Sequence, residues 1–346
     1  PFYRVDQVYL AWRSLGMKSV GIQEAPSSVE VCAGAGGQAL GLELAGFGHE
    51  ALVEVDGDCC NTLRHNRPGW LVVQEDLTRF DGRPFAGVDL FAGGVPCPPF
   101  SVAGRQLGNK DERDLFPQAV RLVDEIRPKA VMLENVRGFL APRFASYRKR
   151  LFRDLAKLGY QADVRLVHAS DHGVPQLRPR VVIVALKPEV ADHFIWPEPK
   201  ADAPPTVGQA LGDLMRDRGW EGWQEWVRQA NGIAPTIVGG SKKHGGADLG
   251  PTRAKEAWAR LGVNAGLVVT DAPAPEHNGP PHLTVRMVAR LQGFPDDWVF
   301  SGSKTTQYRQ IGNAFPPPVA CAVGDALRQA LDLAARRVVL VPGSVE

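Results

Sequence analysis

The sequence predicts an α/β protein built on a doubly wound sheet, with a second, smaller and irregular domain. Three observations carry this. Short apolar runs alternate with helically spaced segments from Val29 to Leu186. Pro188, Pro197, Pro199, Pro204 and Pro205 then break the rhythm. Helical patterning returns after Thr284 and runs to about Ala335. Strand–helix alternation builds a sheet covered by helices on both faces.

The elements follow in order. Val29 to Cys32 is a short apolar strand, followed by a glycine-rich turn and a helix from about Gln38 to Ala45. His49 to Val55 is a second strand. Val88 to Phe91 and Ala130 to Leu133 have the continuous apolar character of buried parallel strands. Asp114 to Ile126 has helical spacing, and Phe152 to Leu158 is a helix ended by Gly159. Val164 to Val167 and Val181 to Leu186 complete the strands. The division expected is an extension at 1–28 (an accessory helix plus linker), a main domain at 29–189 plus 306–346, and a second domain at 190–305. Within the last, Trp220, Trp223 and Trp226 recur at helical spacing and read as a local core. The final residues read as a tail.

Composition narrows the function classes. A chain of 346 residues can bury a sizeable core. Its strongest apolar run, Val181 to Leu186, falls far short of the ~20 residues that cross a bilayer. Pro1 to Leu10 has no basic-then-apolar export pattern, so a cytoplasmic location is expected, with no membrane partner. The five cysteines are odd in number and contain no C-x-x-C pair, which argues against a disulfide framework or structural zinc, and no metal is expected. A net charge of +2 argues weakly against a nucleic-acid partner. Locally, however, Arg137 to Arg153 holds six basic residues and no acid, and Ser241 to Arg260 is also mainly basic. Either segment can follow a phosphate backbone or simply form a solvated face.

Gly34-x-Gly36 follows a strand and opens a helix, with Ala39 three residues on and Glu54 at the end of the next strand. This is the G-x-G-x-x-G/A fingerprint of a nucleotide-type cofactor. It suits NAD, and it suits S-adenosylmethionine equally, whose ribose hydroxyls need an acid at the same place. Without a ligand it is a tight strand–helix turn.

Phe91 to Ser101 leaves the end of a strand as F-A-G-G-V-P-C-P-P-F-S. Prolines framing Cys97 keep it out of a helix or ladder and hold it rigidly where ligands of such sheets sit. A free thiol is only about 3% thiolate at neutral pH, so a nucleophilic role requires a lowered pKa.

At this point a resemblance becomes specific. G-G-x-P-C-x-x-F-S resembles the catalytic loop of the DNA cytosine-5 methyltransferases. Ala33 to Gly37 resembles that family's cofactor loop, Glu134-Asn135-Val136 its E-N-V element, and Gln176 to Arg180 its Q-x-R-x-R element. Arg290 to Pro295 resembles the segment supporting target recognition, and Gln310 to Pro317 the final element beside the cofactor loop. These pieces occur in family order over residues 31 to about 325. The resemblance implies a Rossmann-like methyltransferase sheet and a target-recognition domain. It also implies a reaction: transfer of a methyl group from S-adenosylmethionine to carbon 5 of a flipped-out cytosine in a specific short duplex sequence, leaving S-adenosylhomocysteine. The enzyme would be the modification partner of a restriction system or an orphan methylase. It would act as a monomer on double-stranded DNA near the nucleoid, with any endonuclease a genetic rather than a physical partner.

The resemblance also distributes roles. Cys97 is the nucleophile, Glu134 offers a proton at ring N3, Arg180 binds the cytosine O2, and Arg178 helps position the base or Glu134. Cys32, Ala33, Gly34, Ala35, Gly36 and Gly37 form the cofactor loop. Glu54 takes the ribose hydroxyls, with Val55 beside it. Asp76 and Leu77 lie near the adenine amino group, Asn313 and Phe315 close the methionine end, and Pro96 is a further cofactor contact. Many members have Phe at the position of Cys32, so adenine packing here is expected to be weaker or different, offset by Val55. Ser101, Arg105 and Arg113 fall on the family's mobile loop, which is expected to close over DNA. Thr236, Ile237, Gly239, Gly240, Lys242 and Lys243 resemble its recognition loop.

Three other readings compete. An NAD-dependent oxidoreductase explains the glycine loop but not the Cys97 loop or Gln176 to Arg180. A non-catalytic DNA-binding protein would have no need for Cys97, Glu134 and Arg180 together. An RNA methyltransferase of the same fold usually shows C-F-T, which does not occur here.

Overall fold

The computed structural model describes residues 25–96, 114–239 and 246–339. The accessory helix expected at the start therefore lies outside the described residues, and the first strand, β1 (Ser27–Val31), begins two residues before the expected boundary. Val29 and Val31 are buried on one face of the sheet and Glu30 on the other. Cys32 leaves the strand with φ 52°, a left-handed turn. Gly36 follows with φ 85° and caps helix α1 (Gly37–Leu44). Such a conformation is costly for any residue with a Cβ and free for glycine.

The chain continues through β2 (Gly48–Glu54), α2 (Gly57–Asn66), β3 (Val72–Gln74), β4 (Leu90–Gly93), α3 (Phe116–Ile126), β5 (Ala130–Val136), α4 (Ala145–Lys157), β6 (Gln161–His168) and β7 (Pro179–Leu186). These strands form one seven-stranded sheet in the order β3-β2-β1-β4-β5-β7-β6. The pairings from β3 to β5 are parallel, whereas β7 runs antiparallel to both β5 and β6. The physical reason is the link between β6 and β7. Residues 169–178 are too few for a crossover helix, since a parallel return needs about a dozen residues or more.

The strands and helices expected within the described residues occur, several with different ends. The helix expected at Phe152 to Leu158 starts earlier, at Ala145. α2 and β3 were not expected. α2 is polar, burying only Cys60, Thr62 and Leu63, and is set instead by its N-cap, where Asp56 accepts from Asp58 N (3.0 Å) and Cys59 N (3.4 Å). β3 is too short to show a pattern.

One face of the sheet packs on α3 and α4, the other on α1 and the long α11 (Pro317–Val339). The region after β7 has a core of its own, with α5 (Pro188–Ala191) leading to α6 (Val207–Arg216), α7 (Trp223–Gln229) and α8 (Thr252–Arg260). Trp220 and Trp226 are buried and Trp223 packs against them; Trp226 Nε1 donates to Gly262 O at 3.0 Å. A two-stranded ladder, β8 (Val268–Val269) with β9 (Leu283–Thr284), precedes α9 (Val285–Leu291) and α10 (Lys304–Asn313). This core is continuous with Ala35, Leu40 and Ile311. Trp298 Nε1 donates to Ala35 O at 3.2 Å.

Candidate active site

The order of the sheet reverses between β1 and β4, and a cleft of about 550 Å³ opens there, at the carboxyl ends of the parallel strands. Of the residues expected at the cofactor, Cys32, Ala33, Gly34, Ala35, Gly37, Glu54, Val55, Asp76, Leu77, Pro96, Asn313 and Phe315 line it. Gly36 does not line it and acts through its turn. Gly37 has a different reason to be glycine: a Cβ there would lie 2.2 Å from the Phe315 carbonyl oxygen. The glycine loop and the segment after α10 therefore meet backbone to backbone.

Glu54 organises this end of the cleft. Its Oε2 accepts from Gly34 N (2.8 Å), and its Oε1 accepts from Val55 N (2.9 Å) and Asp56 N (2.8 Å). The carboxylate thus braces the glycine loop while lining the cavity. Asp76 accepts from Thr78 N and Thr78 Oγ1, and these bonds hold its carboxyl below its ordinary range. Val55 is 64% exposed, an apolar surface that faces no protein core. Burial pushes the Cys32 thiol up, with Glu54 adding to the effect, so this cysteine stays a neutral thiol.

Opposite the glycine loop stands Glu134, near the end of β5. Arg180 Nε lies 2.7 Å from its Oε1, and both side chains are almost buried. Gly94 leaves the neighbouring space clear; a Cβ there would sit 3.5 Å from Glu134 Oε2. Burial pushes the Glu134 carboxyl up, against the pull of Arg180 and then Arg178. A carboxyl in that position is suited to hold or share a proton.

Asn135 was named in the sequence only as part of a motif, yet it has a definite task. Its Nδ2 donates to Val95 O at 3.0 Å, and its Oδ1 accepts from Val136 N at 2.9 Å. The chain is thereby tethered two residues before Cys97. Leu115 N donates to Pro96 O at 3.2 Å, joining the two flanks of residues 97–113. Cys97, Ser101, Arg105 and Arg113 lie outside the described residues, as do Gly240, Lys242 and Lys243.

Three expected site residues are buried, although the Arg178 charge still acts on the Glu134 carboxyl. Arg178, expected to help position the base or Glu134, is fully buried. Its guanidinium donates to Ile237 O (2.6 Å), Gly312 O (2.8 Å) and Ala314 O (2.8 Å). Ile237 and Gly239, expected to face DNA, are buried as well. Ile237 N donates to Gln176 Oε1 at 2.9 Å, and Gly239 packs against Arg309 O and Asn313 Oδ1. The segment alternates in and out like a strand, so Val238, which was not singled out, is the exposed residue at 51%. Thr236 is partly exposed, and its hydroxyl donates to Leu177 O. The cleft also includes Gln38, Thr306 and Arg309, which carried no motif signal, and Gln310, which opens the final family-like element.

The comparisons agree with this geometry. The model of the C-5 cytosine-specific DNA methylase family matches residues 27–329. The chain is 58% identical over 312 residues to the type II methyltransferase M.NaeI of Lentzea aerocolonigenes, covering 88% of this chain and 75% of that protein. It is 54% identical over 308 residues to the type II methyltransferase M.NgoMIV of Neisseria gonorrhoeae, covering 88% and 98%. Among solved structures, a DNA modification methyltransferase encoded within an E. coli prophage superposes with a TM-score of 0.63 at 25% identity, covering 89% of this chain and all of that one. With its sheet order, its glycine-loop cleft and a family match over most of its length, the chain belongs to the C-5 cytosine-specific DNA methylases.

Proposed function

We propose that the cleft holds S-adenosylmethionine and that Cys97 attacks a cytosine swung out of duplex DNA. Membership of the family makes the chain a DNA cytosine-5 methyltransferase of the restriction–modification type, acting on DNA with a methyl donor. The observation that carries the finer reading is the buried Glu134–Arg180 pair beside the glycine-loop cleft.

The residues present fit this donor. Glu54, fixed by three backbone N–H groups, retains acceptor capacity for ribose hydroxyls. Asp76 suits an exocyclic amine, and Val55 offers an apolar surface to a base. Bound there, S-adenosylmethionine supplies an electrophilic methyl group. The protein's part is to make carbon 5 nucleophilic. The Cys97 thiolate bonds to ring carbon 6, and the π electrons move toward the ring carbonyl and N3. Glu134 shares its proton with N3 and Arg180 holds O2, so the developing charge is spread over both. After methylation the carbon 5 proton leaves, the carbon 5–carbon 6 double bond reforms and the thiolate departs. Extracting the base costs a few kcal/mol, which phosphate contacts offset.

Residues 190–305 act in this reading as the target-recognition unit, with Thr236 and Val238 toward DNA. The enzyme acts as a monomer in the cytoplasm, near the nucleoid, and any partner endonuclease is a genetic rather than a physical one. No helix among the described residues is long and apolar enough to cross a membrane. Bisulfite sequencing of DNA from cells expressing the chain, beside a Cys97→Ala control, tests the reaction and reveals the target. Protection of one short sequence by the unmodified chain alone is expected. Equal conversion in both cultures, or no covalent adduct on 5-fluorocytosine DNA, refutes the reading.

A further inference from the structure

Arg178 is a fully buried guanidinium, and among the described residues no carboxylate lies within ion-pair distance of it. Its charge is met at hydrogen-bond distance by carbonyl dipoles from two separate segments, with the Glu134 carboxyl attracting it from farther off. One is Ile237 O, in the segment resembling a recognition loop. The others are Gly312 O and Ala314 O, which flank Asn313 and precede Phe315 on the wall of the cleft. Gln176 and Gln292, both fully buried, complete the connection. Gln176 accepts from Ile237 N (2.9 Å) and donates to Gln292 Oε1 (2.7 Å); Gln292 Nε2 donates to Ala314 O (2.7 Å). Gly239 is pressed against the same wall, where a Cβ would lie 2.4 Å from Arg309 O.

A buried charge of this kind is a poor source of stability, because an apolar side chain of similar volume often serves as well or better. What it does provide is direction. Two donor pairs of one planar group hold two segments at a set distance, and neither can shift without leaving a buried acceptor unsatisfied. Two residues further along the chain, at the start of β7, Arg180 meets Glu134.

We propose that Arg178 is a positioning residue which links occupancy of the methyl-donor cleft to engagement of DNA by the recognition loop. The inference rests on the reading of cleft and loop given above. DNA that fixes the segment 236–239 fixes Gly312 to Phe315 through Arg178 and Gln292, so the donor meets a preorganised wall. Linkage requires the converse: a filled cleft must tighten DNA binding by the same factor.

The test is titration calorimetry of S-adenosylhomocysteine, the non-reacting product, on the full chain. It is run without DNA, with a random-sequence duplex, and with a duplex bearing the site that bisulfite sequencing identifies. In the unaltered chain the specific duplex should tighten product binding by about five-fold or more. In Arg178→Met the factor should fall to within about two-fold of unity while product still binds without DNA. Arg178→Lys, whose ammonium cannot span both segments, should behave like Arg178→Met. A purely structural role predicts a lower Tm with the coupling factor unchanged. Should Arg178→Met fail to fold, Gln292→Met, which removes the second donor to Ala314 O, is read in the same way and should at least halve the factor. An unchanged factor in the variant that is read, or a factor of one in the unaltered chain, overturns the proposal. Failure of the unaltered chain to bind the product at all refutes the reading of the cleft instead.

Discussion

Glu134 and Arg180 meet as diagonal neighbours across two antiparallel strands. Glu134 stands opposite Val182 and Arg180 opposite Val136, so both side chains leave the same face, offset by one pleat. Diagonal partners lie roughly 7–8 Å apart at the backbone, a span that a long side chain can close. Arginine does so here, with Nε 2.7 Å from the carboxylate.

Removing either partner should slow the reaction, with different effects on stability. Glu134→Gln keeps the shape but weakens proton donation, and its kcat should fall by about 10²–10⁴-fold with little change in Tm. Arg180→Met leaves a buried carboxyl unpaired. It should lose comparable activity and also about 3–5 kcal/mol of stability if the carboxyl stays ionised, less if it takes up a proton. Steady-state kinetics beside denaturant unfolding separates the two, and equal Tm losses in both variants would contradict this assignment.

Glu30 should make stability depend on pH. Its side chain is buried in the middle of β1, and Oε2 has no hydrogen-bond partner among the described residues. Burial, reinforced by Glu54, pushes its carboxyl well above the ordinary value of 4.5. The folded protein therefore binds this proton more tightly than the unfolded chain does. The associated stability is full below the unfolded value and is lost as pH rises through the folded one. Glu30→Gln cannot ionise, so its Tm relative to the unaltered chain should climb steadily from pH 5 to pH 9. A constant difference across that range would show that the Glu30 carboxyl is not raised in the folded state.

Asn135 should act through the chain it tethers. Asn135→Ala frees Val95 O and leaves a buried acceptor unmet, a cost of about 1–3 kcal/mol. Because Val95 lies two residues before Cys97, kcat should fall by roughly ten-fold or more while the donor Kd barely moves. Equal changes in both constants would place its effect in the cleft instead.

Gly37→Ala should close the gap between the glycine loop and Phe315. The added Cβ would meet a carbonyl oxygen at 2.2 Å, so one backbone must retreat. Loss of donor binding by an order of magnitude and a Tm lower by several degrees are expected, since overpacking costs about 1–3 kcal/mol. Equilibrium dialysis with labelled donor measures the first and calorimetry the second; an alanine variant with normal affinity would show that the close approach is dispensable.

Much of this protein is legible in its residues alone. The strand–helix order, the glycine turn with its acid at Glu54, and the proline-framed cysteine loop are local patterns, and local chemistry suffices to set them. α2 was missed because a polar helix held by an Asp56 cap leaves no apolar stripe.

What only the tertiary structure decided is what each side chain meets and which face turns inward. Arg178 and Arg180 are two apart on one chain and read alike as bases facing a ligand. One is nevertheless enclosed among the carbonyls of Ile237, Gly312 and Ala314, while the other reaches Glu134. Ile237 and Gly239 likewise turn inward and leave Val238 exposed. A period of two shows that neighbours face opposite ways. Which way is inward depends on what packs there, and those partners, such as Gly312 for Arg178, stand more than a hundred residues away along the chain.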